Sequence, residues 1–156
     1  MFNAVIDAPF GKVGIRLEAD AVREIVYLPD SVDSIAPETA LAKEAAQQIE
    51  RYLERASAGF DLPLAAVGTA FQRRVWAAIS EIPPGVVLTY GQLASRVGSV
   101  PRAVGQACGS NYFPLVIPCH RVVASGGLGG FAHHAGDNFF SNVKRWLLAH
   151  EGVPYA

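Results

Sequence analysis

A thiol and an imidazole stand side by side at Cys119 and His120, inside the run Val116-Ile117-Pro118-Cys119-His120-Arg121-Val122-Val123. The thiolate is the reactive form of cysteine, and a neighbouring imidazole is a standard means of generating it. Pro118 fixes its own backbone angle and disfavours helix at Ile117, so Cys119 is expected at a rigid corner between an extended segment and the next element. Such a corner should present its side chain rather than bury it. The adjacent imidazole, with any helix start nearby, also predicts a depressed Cys119 pKa.

The only other cysteine is Cys108, and neither a Cys-x-x-Cys pair nor the repeated Cys/His spacing of a structural zinc site occurs. Free thiols fit a reducing compartment. A disulfide between the two is disfavoured, because Cys108 lies in a helix-like stretch and a stapled fold needs more than one bridge.

At 156 residues, 51% hydrophobic and 17% charged, the chain can bury a sizeable core in at most two small domains. It lacks a basic-then-apolar leader pattern, and no apolar run nears the roughly 20 residues needed to span a bilayer. A cytoplasmic monomer with no membrane partner is the expectation. The net charge of −1 argues against a generic nucleic-acid coat, but its distribution is uneven. Residues 1 to 68 hold 6 Lys/Arg against 11 Asp/Glu, and residues 69 to 156 hold 7 against 3. The positive C-terminal half can attract phosphates without holding DNA by charge alone.

Around the corner, the fold class reads as α+β: a small N-terminal antiparallel sheet plus a helix, then a mainly helical C-terminal domain. Phe2 to Asp7, Lys12 to Glu18 and Val22 to Leu28 form a meander with turns at Pro9-Phe10-Gly11 and Ala19-Asp20. A helix opening at Pro37 and running to about Ala56 carries Leu41, Ala45, Ile49, Tyr52 and Leu53 as one apolar stripe. The aperiodic stretch from Gly59 to Gly68 marks the boundary between domains 1–66 and 67–156. Thr69 caps a helix buried through Phe71, Val75, Trp76 and Ile79, and Pro83-Pro84-Gly85 ends it. A short strand over Val86 to Thr89 follows.

Two compact helices come next, Tyr90 to Val97 and roughly Val100 to Ser110, separated by Gly98 and a capping Ser99. They make a helix-turn-helix candidate. In the second helix Val104 and Cys108 form the core side, leaving Ala103, Gln106, Ala107 and Ser110 outward. Small side chains let such a helix press close to a sugar-phosphate surface, and Arg102 at its start offers one long cation. The glycine-rich Ser125 to Phe131 lacks a phosphate-cradle pattern and suits a mobile lid over a pocket. A last helix from about Asn142 to His150 turns Val143, Trp146 and Leu147 inward.

Taken together, Thr89-Tyr90-Gly91-Gln92-Leu93-Ala94, Arg102-Ala103-Val104-Gly105, Asn111, Ile117-Pro118-Cys119-His120-Arg121-Val122 and Trp146-Leu147-Leu148-Ala149-His150-Glu151-Gly152 resemble the O6-alkylguanine-DNA alkyltransferase family. The resemblance covers residues 69 to 156. It implies that Cys119 accepts an alkyl group from O6 of guanine, that His120 draws the thiol proton through a water, and that Glu151 orients the imidazole. The thioether does not hydrolyse, so one molecule repairs one lesion without a cofactor. The partner implied is duplex DNA containing O6-alkylguanine, approached from the minor groove with the nucleotide flipped out. Arg102 would fill the vacated space, Tyr90 would assist flipping and donate to the departing guanine, and Asn111 would tie the recognition helix to the acceptor turn. Ala103, Gln106, Arg121 and Phe131 complete the expected DNA and lesion contacts.

The chain departs from the family pattern over residues 132 to 141, which lengthen the segment before the last helix. His133-His134 there lacks a third ligand at helical spacing, so no metal is expected. Two other readings remain beside repair. A lesion-recognition protein without chemistry would lack the acceptor cysteine, which this chain keeps. A cysteine hydrolase would turn over repeatedly on a thioester or peptide.

Overall fold

The structure, a computed structural model, describes residues 1–130 and 138–155. Two compact units divide it, Met1–Ala66 and Val67–Ala156. In the first, strands β1 (Ala4–Ala8), β2 (Gly11–Glu18) and β3 (Ala21–Leu28) form an antiparallel meander in the order β1-β2-β3. Its register aligns Ile6 with Val13 and Tyr27, and Ala4 with Ile15 and Ile25. Because side chains alternate across a strand, those six share one face, and all six are buried.

Helix α1 (Ala40–Glu54) packs on β1 and β2. It starts three residues later than Pro37 suggests, because the Thr39 hydroxyl accepts from the Ala42 N–H and so fixes the cap. The expected stripe is present, with Ala45, Ile49 and Tyr52 inside, and Gln48 joins it by exchanging hydrogen bonds with the backbone of Asp61.

The second unit is mainly helical, as expected. Helix α2 (Ala70–Ser80) opens on a capping box in which Thr69 and Gln72 satisfy each other's backbone N–H. Strand β4 (Leu88–Thr89) is only two residues long, Val86 being exposed, and it leads into helix α3 (Tyr90–Val97), which has a second capping box at Thr89 and Gln92.

Helix α4 (Pro101–Gly109) completes the pair, but Ser99 does not cap it. Gly98 sits in the left-handed region at φ 67°, and the Ser99 N–H returns to the Ala94 carbonyl at 2.9 Å, so Ser99 finishes α3. Pro101 then starts α4 at a position where a missing N–H costs nothing. The α4 face also differs from expectation. Ala107 is buried with Val104 and Cys108, since its carbonyl receives the Trp76 indole N–H at 2.8 Å.

The chain then returns through a single 3₁₀ turn, Cys119–Arg121, into strand β5 (Val122–Val123), which pairs in parallel with β4. That pairing, Leu88 with Val122 and Thr89 with Val123, fixes the Cys119 turn against the start of α3. Helix α5 (Phe139–His150) begins three residues earlier than expected because the Asn138 side chain accepts from the Ser141 N–H. It buries Val143, Lys144, Leu147 and Leu148, while Trp146 is only half-buried and stacks on His150 at 4.7 Å. No helix among the described residues is long and apolar enough to cross a membrane.

Leu93 is fully buried on α3, which packs against α2 and α4. Leu93→Ala should cost about 2–5 kcal/mol, read as a lower urea midpoint at unchanged slope. A midpoint equal to that of the unchanged protein would contradict this packing.

Candidate active site

Pro118 makes the corner expected of it. With φ −80° and ψ 68°, it centres an inverse γ-turn closed by the Cys119 N–H on the Ile117 carbonyl at 2.8 Å. Asn111, just beyond α4, clasps this corner from the other side. Its side-chain N–H₂ donates to the Ile117 carbonyl at 2.8 Å and to the Cys119 sulfur at 3.1 Å, and its oxygen accepts from the Phe113 N–H. The Cys119 turn and the end of the Arg102-bearing helix are thus one hydrogen-bonded unit.

The corner does not present its side chain, however. Cys119 is only 5% exposed: α5 packs on the turn, and Cys108 of α4 meets its sulfur. Nor is its pKa depressed: a hydrogen bond with the Cys108 thiol and burial push it well above the ordinary value, against smaller opposing effects from Asn111 and Lys144. The two cysteines are free thiols. At rest the sulfur is therefore protonated and needs a base.

His120 is 1% exposed and places Nε2 2.7 Å from a Glu151 carboxylate oxygen. Burial lowers the imidazole pKa, and the attraction of Glu151 only partly offsets that. A neutral imidazole beside an oxygen that can only accept must carry its proton on Nε2, which leaves a lone pair on Nδ1. Nδ1 is buried and has no hydrogen-bond partner among the described residues.

Arg121 departs from its expected place at the DNA surface. It is 8% exposed; Nε and Nη2 grip Glu151 at 2.8 and 2.9 Å, and Nη1 donates to the Ile82 carbonyl. A guanidinium so occupied cannot also reach a phosphate, so its role is to neutralise the buried carboxylate. Tyr90, at the first position of α3, is half-buried and donates its hydroxyl to the Gly130 carbonyl at 3.1 Å. Burial raises its pKa, which keeps it a donor. Arg102 and Gln106 are exposed on α4 and Ala103 is half-buried there, on the outward side as expected.

Phe131, His133 and His134 lie outside the described residues. Residues 125–128 of the glycine-rich segment line a cleft of about 590 Å³ together with Thr89, Gln92 and Val123. Among the described residues, no three His, Cys, Asp or Glu side chains are grouped to hold a metal ion. Sequence reading missed Cys108 as a neighbour of the Cys119 sulfur and Lys144 as a buried cation. The available signal was spacing, since Cys108 precedes Asn111 by three residues and Lys144 precedes Glu151 by seven.

Residues 70–153 match the family model for the 6-O-methylguanine DNA methyltransferase DNA-binding domain. The methylated-DNA–protein-cysteine methyltransferase of Methanosarcina acetivorans is 32% identical over 97% of this chain and 99% of its own. The constitutive enzyme of that name from Bacillus subtilis is 35% identical over 99% and 97%. The chain belongs to the 6-O-methylguanine DNA methyltransferase family. Among solved structures, the Mycobacterium tuberculosis O6-methylguanine methyltransferase superposes with a TM-score of 0.77 at 30% identity, covering 97% of this chain and 93% of that one. The OGT of the same organism in complex with DNA gives 0.77 at 31% identity, with 95% and 91% covered.

In this methyltransferase, Glu151→Gln would leave the Arg121 cation buried and half-paired. We expect a loss of about 3–5 kcal/mol in urea denaturation; a loss under about 1 kcal/mol would show the carboxylate to be dispensable. A second expectation follows from His120, whose folded pKa lies below its unfolded 6.5. The unfolded chain then binds the extra proton, so stability is complete above about pH 6.5 and falls with pH below it. His120→Asn should flatten that acid-side slope, and an unchanged slope would argue against a neutral buried ring.

Proposed function

We propose that Cys119 takes the alkyl group from O6 of guanine in duplex DNA, in a single turnover that His120, Glu151, Tyr90 and Asn111 assist. The observation that carries this reading is a recessed thiol hydrogen-bonded to Asn111, next to a buried imidazole that Glu151 holds by Nε2.

The chemistry follows from those protonation states. His120 takes the thiol proton at Nδ1, through a water, as the sulfur attacks the alkyl carbon; the S–C bond forms while the C–O6 bond breaks. Glu151, which Arg121 fixes in place, holds the imidazolium that results. The guanine leaves as an anion, and Tyr90, whose hydroxyl stays protonated at neutral pH, turns from Gly130 to donate to it. The product thioether has no activated carbonyl for water to attack, so the protein is consumed.

Recession of the sulfur sets a condition on the substrate. A base stacked in the duplex cannot reach it, whereas a flipped nucleotide can be inserted. Residues 67–156 carry both functions: Arg102 fills the gap in the stack, and Ala103 and Gln106 face the minor groove from a helix that is small enough to approach it. Residues 1–66 form a separate domain. The protein acts as a cytoplasmic monomer.

Incubation with a duplex containing one O6-methylguanine should add the mass of one methyl group per molecule, mapped to Cys119, and nothing more with excess substrate. Cys119→Ser should acquire none. Repeated release of guanine product at constant protein mass would instead indicate hydrolysis and overturn the reading.

A further inference from the structure

Cys108 is a buried nucleophile that the chemistry above does not use. It lies in the last turn of α4, 8% exposed, and its thiol is hydrogen-bonded with that of Cys119. These are the two cysteines of the chain, and both are free thiols.

Backbone contacts fix both ends of the pair. On the α4 side, the Ala107 carbonyl accepts from the Trp76 indole, and the Cys108 carbonyl accepts from the Asn111 N–H at 3.2 Å. On the other side, the Cys119 N–H closes the Pro118 turn on Ile117, and the Asn111 side chain reaches both the Ile117 carbonyl and the Cys119 sulfur. Asn111 is thus bonded to both cysteines, by its backbone to one and by its side chain to the other. With the two backbones held, rotation of the two side chains is what brings hydrogen-bonded thiols to the roughly 2 Å of a disulfide bond.

A bridge here differs from the staple of a small secreted fold. In the cytoplasm proposed above, a disulfide is a transient product of oxidation that thiol exchange returns to thiols. For a protein whose sulfur reacts once, oxidation without a neighbour ends badly, because sulfenic acid proceeds to sulfinic acid, which thiols do not reduce. Peroxide is small and uncharged, so a recess that admits an alkylated base admits it too. Protonation of the resting sulfur slows that attack without stopping it, since His120 takes the proton as it does in alkyl transfer.

We propose that Cys108 and Cys119 form a reversible oxidation site, in which a peroxide oxidises Cys119 and Cys108 resolves the product as an intramolecular disulfide. The Cys119 sulfur attacks one peroxide oxygen; the S–O bond forms, the O–O bond breaks, and the departing oxygen leaves as water with the thiol proton. The Cys108 sulfur then attacks the sulfenic sulfur; the S–S bond forms, the S–O bond breaks, and the hydroxide leaves as a second water with the Cys108 proton. The two thiols together lose two electrons, and the peroxide gains them. The bridge silences alkyl acceptance until a dithiol reduces it, a consequence that rests on the function proposed above.

The test treats the reduced full chain with hydrogen peroxide and blocks the remaining thiols with N-ethylmaleimide in denaturant. Intact mass, a peptide map and methyl acceptance are then read before and after dithiothreitol. The unchanged protein should lose the mass of two hydrogens, take up no maleimide and yield a peptide cross-linked between Cys108 and Cys119. Its methyl acceptance should fall at least tenfold, and more than half should return with dithiothreitol. Cys108→Ala, scored against its own acceptance before oxidation, should instead gain two or three oxygens at Cys119 and recover less than a tenth. Oxygen added at Cys119 of the unchanged protein while Cys108 still takes maleimide overturns the proposal. So does a bridge between two chains, a pair of thiols left intact at every peroxide concentration, or equal recovery by Cys108→Ala. Should Cys108→Ala fail to fold, the same comparison on Cys108→Ser decides. No methyl gain by the reduced protein, or a bridge that leaves methyl acceptance intact, sinks the proposed function and not the pairing.

Discussion

The buried Glu151 carboxylate is the interaction on which the rest of the site depends. It sits just past the last turn of α5, where the backbone carbonyls already give the helix end a partial negative charge. A carboxylate there is unfavourable unless a cation meets it. Arg121 supplies that cation with two hydrogen bonds, and His120 adds a third on one of the same oxygens. Since His120 and Arg121 belong to the 3₁₀ turn that begins at Cys119, satisfying Glu151 also fixes the orientation of the turn. Arg121 extends the constraint to the end of α2 through the Ile82 carbonyl. Three elements distant in sequence are joined by one pair of oxygens.

That arrangement sets the protonation states of the chemistry. With Arg121 already balancing Glu151, the imidazole gains little by charging, and burial keeps it neutral. The thiol is likewise neutral at rest, restrained by Cys108 and by its surroundings. A resting pair of neutral groups differs from the thiolate–imidazolium pair of many cysteine enzymes. It leaves the sulfur unreactive until an alkyl carbon is placed against it, which is an advantage for a protein that can react once only.

What was legible in the sequence was mostly local. Strand alternation at Val13, Ile15 and Leu17, the Thr69 cap and the Pro118 corner each depend on neighbours within a few residues. The errors came where a distant contact decided the outcome. Arg121 reads as a surface cation until Glu151, 30 residues on, is brought to it. Ala107 reads as outward until Trp76 reaches its carbonyl. Lysine in a helix is ordinarily solvated, and only the apolar face it shares with Val143 and Leu147 marks Lys144 as internal. Ser99 reads as a cap for α4, but Gly98 before it offers a left-handed stop that uses the serine backbone rather than its hydroxyl. The exposed-thiol expectation failed because a rigid corner fixes direction without fixing what packs against it.

The protonation of His120 is the most direct measure of this arrangement. Nitrogen-15 spectra of the ring at pH 7, assigned by comparison with His120→Asn, should show a neutral imidazole bearing its proton on Nε2 and none on Nδ1. A doubly protonated ring at that pH, with Cys119 ionised beside it, would contradict the neutral resting pair and remove the base on which the transfer depends.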